Sequence, residues 1–233
     1  MRCLRLCVRM CRGLAVMWAA SGVCAADLSA TETRWLQGMW PVIGYARASG
    51  IALDIVVQPQ PSAGTAPLAM AFVGGRCKLV LSMRVNPEAQ ATLDRIQPDL
   101  LDATLELMAA HELGHCRRYL DGNWYALPAG FVAGVPESVG PELKEAWRDM
   151  QATRREEGYG DLVGLAWTQQ HHPQLYARLH AWLLAERSRE LVPHSHHDTL
   201  AWVRRAAGGV PASEAAMFSS AASLWRAGLE ADD

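Results

Sequence analysis

His111-Glu112-Leu113-Gly114-His115 is an HExxH motif. Along an α-helix, residues i and i+4 lie nearly one above the other, so the two imidazoles can grip one metal ion from a single rigid element. Glu112, beside the first histidine, then points at the open position of such an ion, where it can take a proton from bound water. Chance accounts poorly for the match. With 8 His and 13 Glu in 233 residues, roughly 0.015 such motifs are expected per chain.

The spacing works only on a helix, and the flanking residues predict one. Asp99 after Pro98 reads as an N-cap, with Asp102 three residues on as in a capping box. Leu101, Leu105 and Met108 form an apolar stripe, and Asp121-Gly122 is a C-terminal stop.

Two histidines leave a catalytic metal short of a ligand, because such sites take three protein ligands and keep one position open. Asp121 stands at the spacing of HExxHxxGxxD, but Arg118 replaces the glycine that turns the chain back in that pattern. Glu157 is the better candidate. It opens Glu157-Gly158-Tyr159-Gly160-Asp161, an E-x-x-x-D pattern that puts both carboxylates on one helix face. Glu157 can then ligate the metal while Asp161 accepts the spare N–H of a ligand histidine, fixing its tautomer and orientation. Gly158 and Gly160 are costly inside a helix unless this helix must approach the HExxH helix closely. Glu156 remains the rival to Glu157.

HExxH at 111–115, followed by helical E-x-x-x-D at 157–161, resembles the gluzincin class of zinc metallopeptidases. The order of elements extends the likeness over about residues 68–170. The resemblance implies that His111, His115 and Glu157 bind zinc (Zn2+), that Glu112 is the catalytic base, that Asp161 orients a ligand, and that the substrate is a peptide or protein. Enzymes of this class often steady the tetrahedral oxyanion with a later His, Tyr or Arg, and His194-Ser195-His196-His197 is the natural place to look. Ser195 reads as an N-cap with Asp198 three residues on. That places His196 and His197 in a first helical turn, whose dipole disfavours imidazolium and leaves neutral N–H donors. His197 is favoured over His196. By the same analogy the strand Arg76–Met83, just before the active helix, is the sheet edge that pairs with an extended substrate. A reading of a different class is a non-catalytic, zincin-like metal-binding or scaffold protein of the periplasm.

The remaining chain must position these groups. Residues 1–25 read as a secretory signal peptide: Arg2, Arg5, Arg9 and Arg12 precede a short apolar run, and Val23-Cys24-Ala25 offers cleavage after Ala25 or Ala26. A retained N-terminal anchor is the competing reading. The rest, 26–233, reads as a single zincin-like metallopeptidase domain, periplasmic or secreted, with no membrane span. Without its leader the chain carries 18 basic against 24 acidic side chains, which argues against nucleic-acid binding. Only Cys77 and Cys116 then remain. They form either a disulfide clamping a strand to the metal helix or two separate buried thiols.

A helix is expected over Ser29–Ala48, broken or kinked near Pro41. Strands are expected over Ile51–Gln58, Leu68–Val73 and Arg76–Met83, the last two joined by Gly74-Gly75 as a hairpin. Asn123 to Pro141 is irregular, either a wall or lid of a cleft or a surface excursion. Helices follow from Pro141, through Leu175–Leu183, through Leu200–Val203 and over Ala212–Leu229, with His171-His172 in a loop and His180 on the surface. The fold class is α+β: a small N-terminal sheet, in part antiparallel, packed on the HExxH helix and followed by a mainly helical half.

Overall fold

The computed structural model describes residues 27–59, 65–124, 135–189, 191–211 and 217–232. The expected leader and most of the irregular stretch after Gly122 lie outside them. Helix α1 (Ala30–Ala48) starts at a capping box: Glu32 N–H donates to Ser29 Oγ, and Ser29 N–H donates to the Glu32 carboxylate. Pro41 does not interrupt it, contrary to the expected break. Trp35, Met39, Val42 and Ile43 are buried on either side of the proline, and their packing outweighs the lost backbone bond.

Three strands follow: β1 (Leu53–Pro59), β2 (Leu68–Val73) and β3 (Arg76–Arg84). Gly74 and Gly75 both have positive φ, as a two-residue hairpin turn between β2 and β3 demands. The sheet order is β1-β3-β2, with β1 parallel and β2 antiparallel to β3. Strand β3 is therefore central. Both of its edges are taken up by neighbours, so Arg76–Met83 cannot be the edge that receives a substrate strand; among the described residues the free edges belong to β1 and β2.

Helix α2 (Pro87–Arg95), which the sequence reading passed over, is capped by Asn86, whose side chain accepts from Glu88 N–H, with Pro87 in the first turn. The HExxH helix, α3 (Leu101–Leu120), follows a 3-10 turn at Pro98–Leu100. Its expected Asp99–Asp102 capping box does not form, and its N-cap is Leu100 with no side-chain bond. Both carboxylates are used at longer range instead: Asp99 pairs with Arg178 and Asp102 with Arg34, each at 2.7 Å. Those partners belong to α5 (Tyr176–Ser188) and α1, so the start of α3 is tied to its neighbours rather than to itself.

The chain is completed by α4 (Lys144–His171), α6 (Leu200–Arg205) and α7 (Met217–Asp232). Helix α3 lies between α1 and α4 and against the sheet, which is why its middle, including the HExxH residues, is buried. His171 closes α4, where its ring stacks on Trp167, rather than lying in a loop. His172 pairs with the buried Glu106. His180 is not a free surface group either: its Nε2 lies 2.7 Å from the Val203 carbonyl oxygen and ties α5 to α6. No helix among the described residues is long and apolar enough to cross a membrane.

Cys77 of β3 and Cys116 of α3 form a disulfide, with Cα atoms 5.6 Å apart. The bridge spans 39 residues; constraining an unfolded loop of that length stabilises the fold by about 4 kcal/mol. A Cys77→Ala/Cys116→Ala variant should lose about that much in denaturant unfolding.

Candidate metal centre

Helices α3 and α4 can meet closely because small residues face each other. A methyl group at Gly160 would sit 2.8 Å from the His111 ring, one at Gly164 2.8 Å from the Leu107 carbonyl oxygen, and one at Gly114 3.3 Å from the Gly160 Cα. Gly160 thus serves the close approach expected of it. Gly158 does not; it makes room for the indole of Trp202 on α6.

That approach brings Glu157 to the two histidines. Nε2 of His111 and Nε2 of His115 lie 3.0 Å apart, and the Glu157 oxygens lie 3.3 Å from the first and 3.4 Å from the second. Two ligands about 2.0–2.1 Å from a tetrahedral ion stand about 3.3–3.4 Å apart. The three donors therefore fit one small metal ion, and together they form a buried group that could hold one. The rivals are engaged elsewhere. Glu156 is fully buried against the Arg118 guanidinium in a two-bond clamp, and Asp121 pairs with Arg117 at the end of α3.

Asp161 Oδ1 lies 2.9 Å from His111 Nδ1, as the E-x-x-x-D spacing anticipates. Three further bonds hold the Asp161 carboxylate: Arg187 donates Nε to Oδ2 at 2.8 Å and Nη2 to Oδ1 at 2.6 Å, and Thr199 donates its hydroxyl to Oδ2 at 2.6 Å. Burial opposes the ionised form, but Arg187 and His111 outweigh it and hold Asp161 well below the usual carboxylate range. Neither Arg187 nor Thr199 entered the sequence reading. The signal for Arg187 was its place on α5, one turn beyond Leu179 and Leu183 on the same buried face; a charge on an apolar face needs a partner.

Burial alone would push the His111 imidazole down, but Asp161 and Glu157 overcome it and raise it to about 10 from its ordinary 6.5. Without metal the ring is a cation between two carboxylates. A metal ligand must be neutral, so metal uptake near pH 7 should release this proton. Affinity should then rise about tenfold per pH unit towards pH 10, which calorimetry in buffers of different ionisation enthalpy will show. In the metal-free chain the same shift contributes stability that is fully present below 6.5 and is lost as pH rises through about 10.

Glu112 is 9% exposed and lines the same cleft. Burial raises its pKa, with the neighbouring histidines opposing.

The expected placement of His196 and His197 is wrong in detail. Residues 193–197 form turns, α6 starts only at Leu200 after Thr199, and Asp198 accepts from His194 N–H instead of completing a capping box. The two rings therefore precede α6 and do not lie in its first turn. His197 nevertheless reaches the centre, with its Nε2 3.9 Å from Glu157 and about half its side chain exposed. Partial burial and then the Arg187 guanidinium push it down to about 4, so it is neutral at pH 7. His196 lies beside it, with ring centroids 4.1 Å apart.

The cleft over the centre encloses about 860 Å³. One wall is Thr65 to Met70, the lead-in and first half of β2, and Trp182 with Leu183 of α5 contributes to another. The sheet edge at the site is thus β2. No protein-family model, curated protein or solved structure matches the chain.

Proposed function

We propose that this chain is an extracytoplasmic zinc-dependent peptidase of gluzincin type, acting on peptides or unfolded proteins. The observation that carries the reading is the state of Glu112. Burying a carboxylate is costly, and this one, mostly buried and with its pKa raised by that burial, sits beside the two imidazoles of the metal-binding group on the wall of an open cleft. A group kept in that condition is suited to exchanging protons with a bound reactant. A donor set of two imidazoles and one carboxylate suits zinc, and the disulfide is compatible with an oxidising compartment.

Zinc, when bound, supplies Lewis acidity that polarises a carbonyl and brings a bound water's pKa towards neutrality. The chain's own residues do the rest. Glu112 takes a proton from the attacking water and delivers it to the amide nitrogen as the C–N bond breaks. His197, neutral and beside the centre, is the group assigned to donate from its ring to the carbonyl oxygen as negative charge develops there, with His196 next to it. Asp161, fixed by Arg187 and Thr199, holds His111 in one orientation throughout. The free edge of β2 offers backbone groups to an extended substrate without demanding a particular sequence.

The test is incubation of the zinc-loaded chain with an unfolded protein and mass spectrometry of the fragments. Cleavage that stops with a chelator and returns with zinc supports the proposal. A fully metallated protein that cleaves none of a broad peptide set sinks it in favour of a metal-binding scaffold.

A further inference from the structure

The two ligand histidines are held in different ways. His111 has Asp161 at its Nδ1. The Nδ1 of His115 is buried with no hydrogen-bond partner among the described residues, although a metal-bound imidazole ordinarily gives that N–H to an acceptor. Away from the metal-binding group, the His115 ring has an aromatic neighbour. Trp124 stands against it in a T-shaped arrangement, centroids 5.4 Å apart and planes at 81°. Trp124 stacks on Tyr119 at 4.1 Å and 13°, and Tyr119 stacks on Phe72 at 5.3 Å and 3°.

This stack is anchored in the sheet. Tyr119 lies one turn beyond His115 on α3, so both project from the same side of the helix. Phe72 lies on β2, and its register partner across the ladder is Cys77 of β3. Cys77 is bonded to Cys116, the residue after His115. One rung of the sheet therefore reaches His115 along two paths: a covalent one through the disulfide to the backbone, and an aromatic one through Phe72, Tyr119 and Trp124 to the ring.

We propose that the Phe72–Tyr119–Trp124 stack is a positioning device for His115, standing in for the hydrogen-bond acceptor that His115 lacks among the described residues, and that Trp124 thereby sets how firmly the metal ion is retained. The stack fixes the ring's tilt through shape and quadrupole contact, which an aromatic side chain supplies and an aliphatic one does not. Trp124 lines the cleft, and the role assigned to it is that of a positioning residue acting through His115. The inference rests on the metal-centre reading above.

Its test uses metal alone. The full chain is stripped, reloaded with zinc, and its dissociation constant read by competition with a chromophoric chelator; Co2+ loading adds a visible spectrum that reports the ligand set. Trp124→Ala should bind zinc about 10-fold more weakly and shift the cobalt bands, whereas Trp124→Phe should stay within about threefold of wild type. Phe72→Leu, which leaves every ligand and its neighbours intact, should weaken binding in the same direction. It keeps the test decisive should Trp124→Ala fail to fold. Trp40→Ala, at an indole 53% exposed on the outer side of α1, should change nothing. Wild-type retention and spectrum in a folded Trp124→Ala, or in Phe72→Leu where Trp124→Ala does not fold, overturn the proposal, as does equal weakening in Trp124→Phe and Trp124→Ala with unshifted cobalt bands. His111→Ala separates the two levels. If it leaves zinc binding untouched, the metal centre itself is wrong; if it abolishes binding while the stack variants do nothing, only the role of the stack fails.

Discussion

Glu112→Gln should lower peptide hydrolysis by about 10²–10⁴-fold while leaving the metal content unchanged. The amide has the volume of the carboxylate and fills the same place on the cleft wall, but it cannot accept the proton that hydrolysis must move. Glu112 is not among the three residues whose donor atoms converge, so its loss does not open the centre. Two measurements on one preparation decide the matter: metal per chain and the rate of cleavage. Retained cleavage would show that Glu112 is not the base, and joint loss of metal and cleavage would show that it supports the centre instead.

Glu157→Ala should weaken metal binding by more than about 100-fold, and Asp121→Ala should leave it within about twofold. The contrast is sharp because the two carboxylates occupy opposite situations. Glu157 reaches both imidazoles, which, against the pull of burial, hold it well below its usual range. Asp121 lies at the solvent-facing end of α3 with Arg117 as its partner. Metal analysis of the two variants after equilibrium dialysis is sufficient. If zinc survives the loss of Glu157 and not that of Asp121, both the third ligand and the gluzincin resemblance are wrong.

The centre was legible in the sequence to the extent that its chemistry is written in short-range spacing. The i, i+4 steps from His111 to His115 and from Glu157 to Asp161 place pairs of side chains on a helix face without reference to anything distant. The Gly74-Gly75 turn and the β-branched runs did the same for the strands. What failed to show was decided between elements. That β1 pairs in parallel with β3, displacing β2 to the edge at the cleft, follows from a crossover that no local pattern encodes. Asp99 and Asp102 look like a cap until Arg178 and Arg34 arrive from other helices to take them. His196 and His197 reach the site from a turn and not a helix, so the expected cause of their neutrality was wrong. For His197 neutrality follows instead from partial burial and Arg187. The Asn86-Pro87 start of α2 and the charge of Arg187 on an apolar face were readable and passed over.

The glycine contact between α3 and α4 has a consequence for how such a chain can change. Gly114, Gly160 and Gly164 sit where an added methyl group would press on Val163, on the His111 ring and on the Leu107 carbonyl oxygen of the facing helix, so the separation that places His111, His115 and Glu157 depends on this close contact. Part of the cleft wall comes from the start of β2, from α2 and from Trp182 and Leu183 of α5, none of which supplies a ligand. Substitutions in those walls can accumulate and redirect what enters the cleft while the ion's position stays put. Where the reaction takes place and what it accepts are inherited separately in this architecture. New specificities can then arise by drift in the walls, while the contact between α3 and α4 keeps the centre in place.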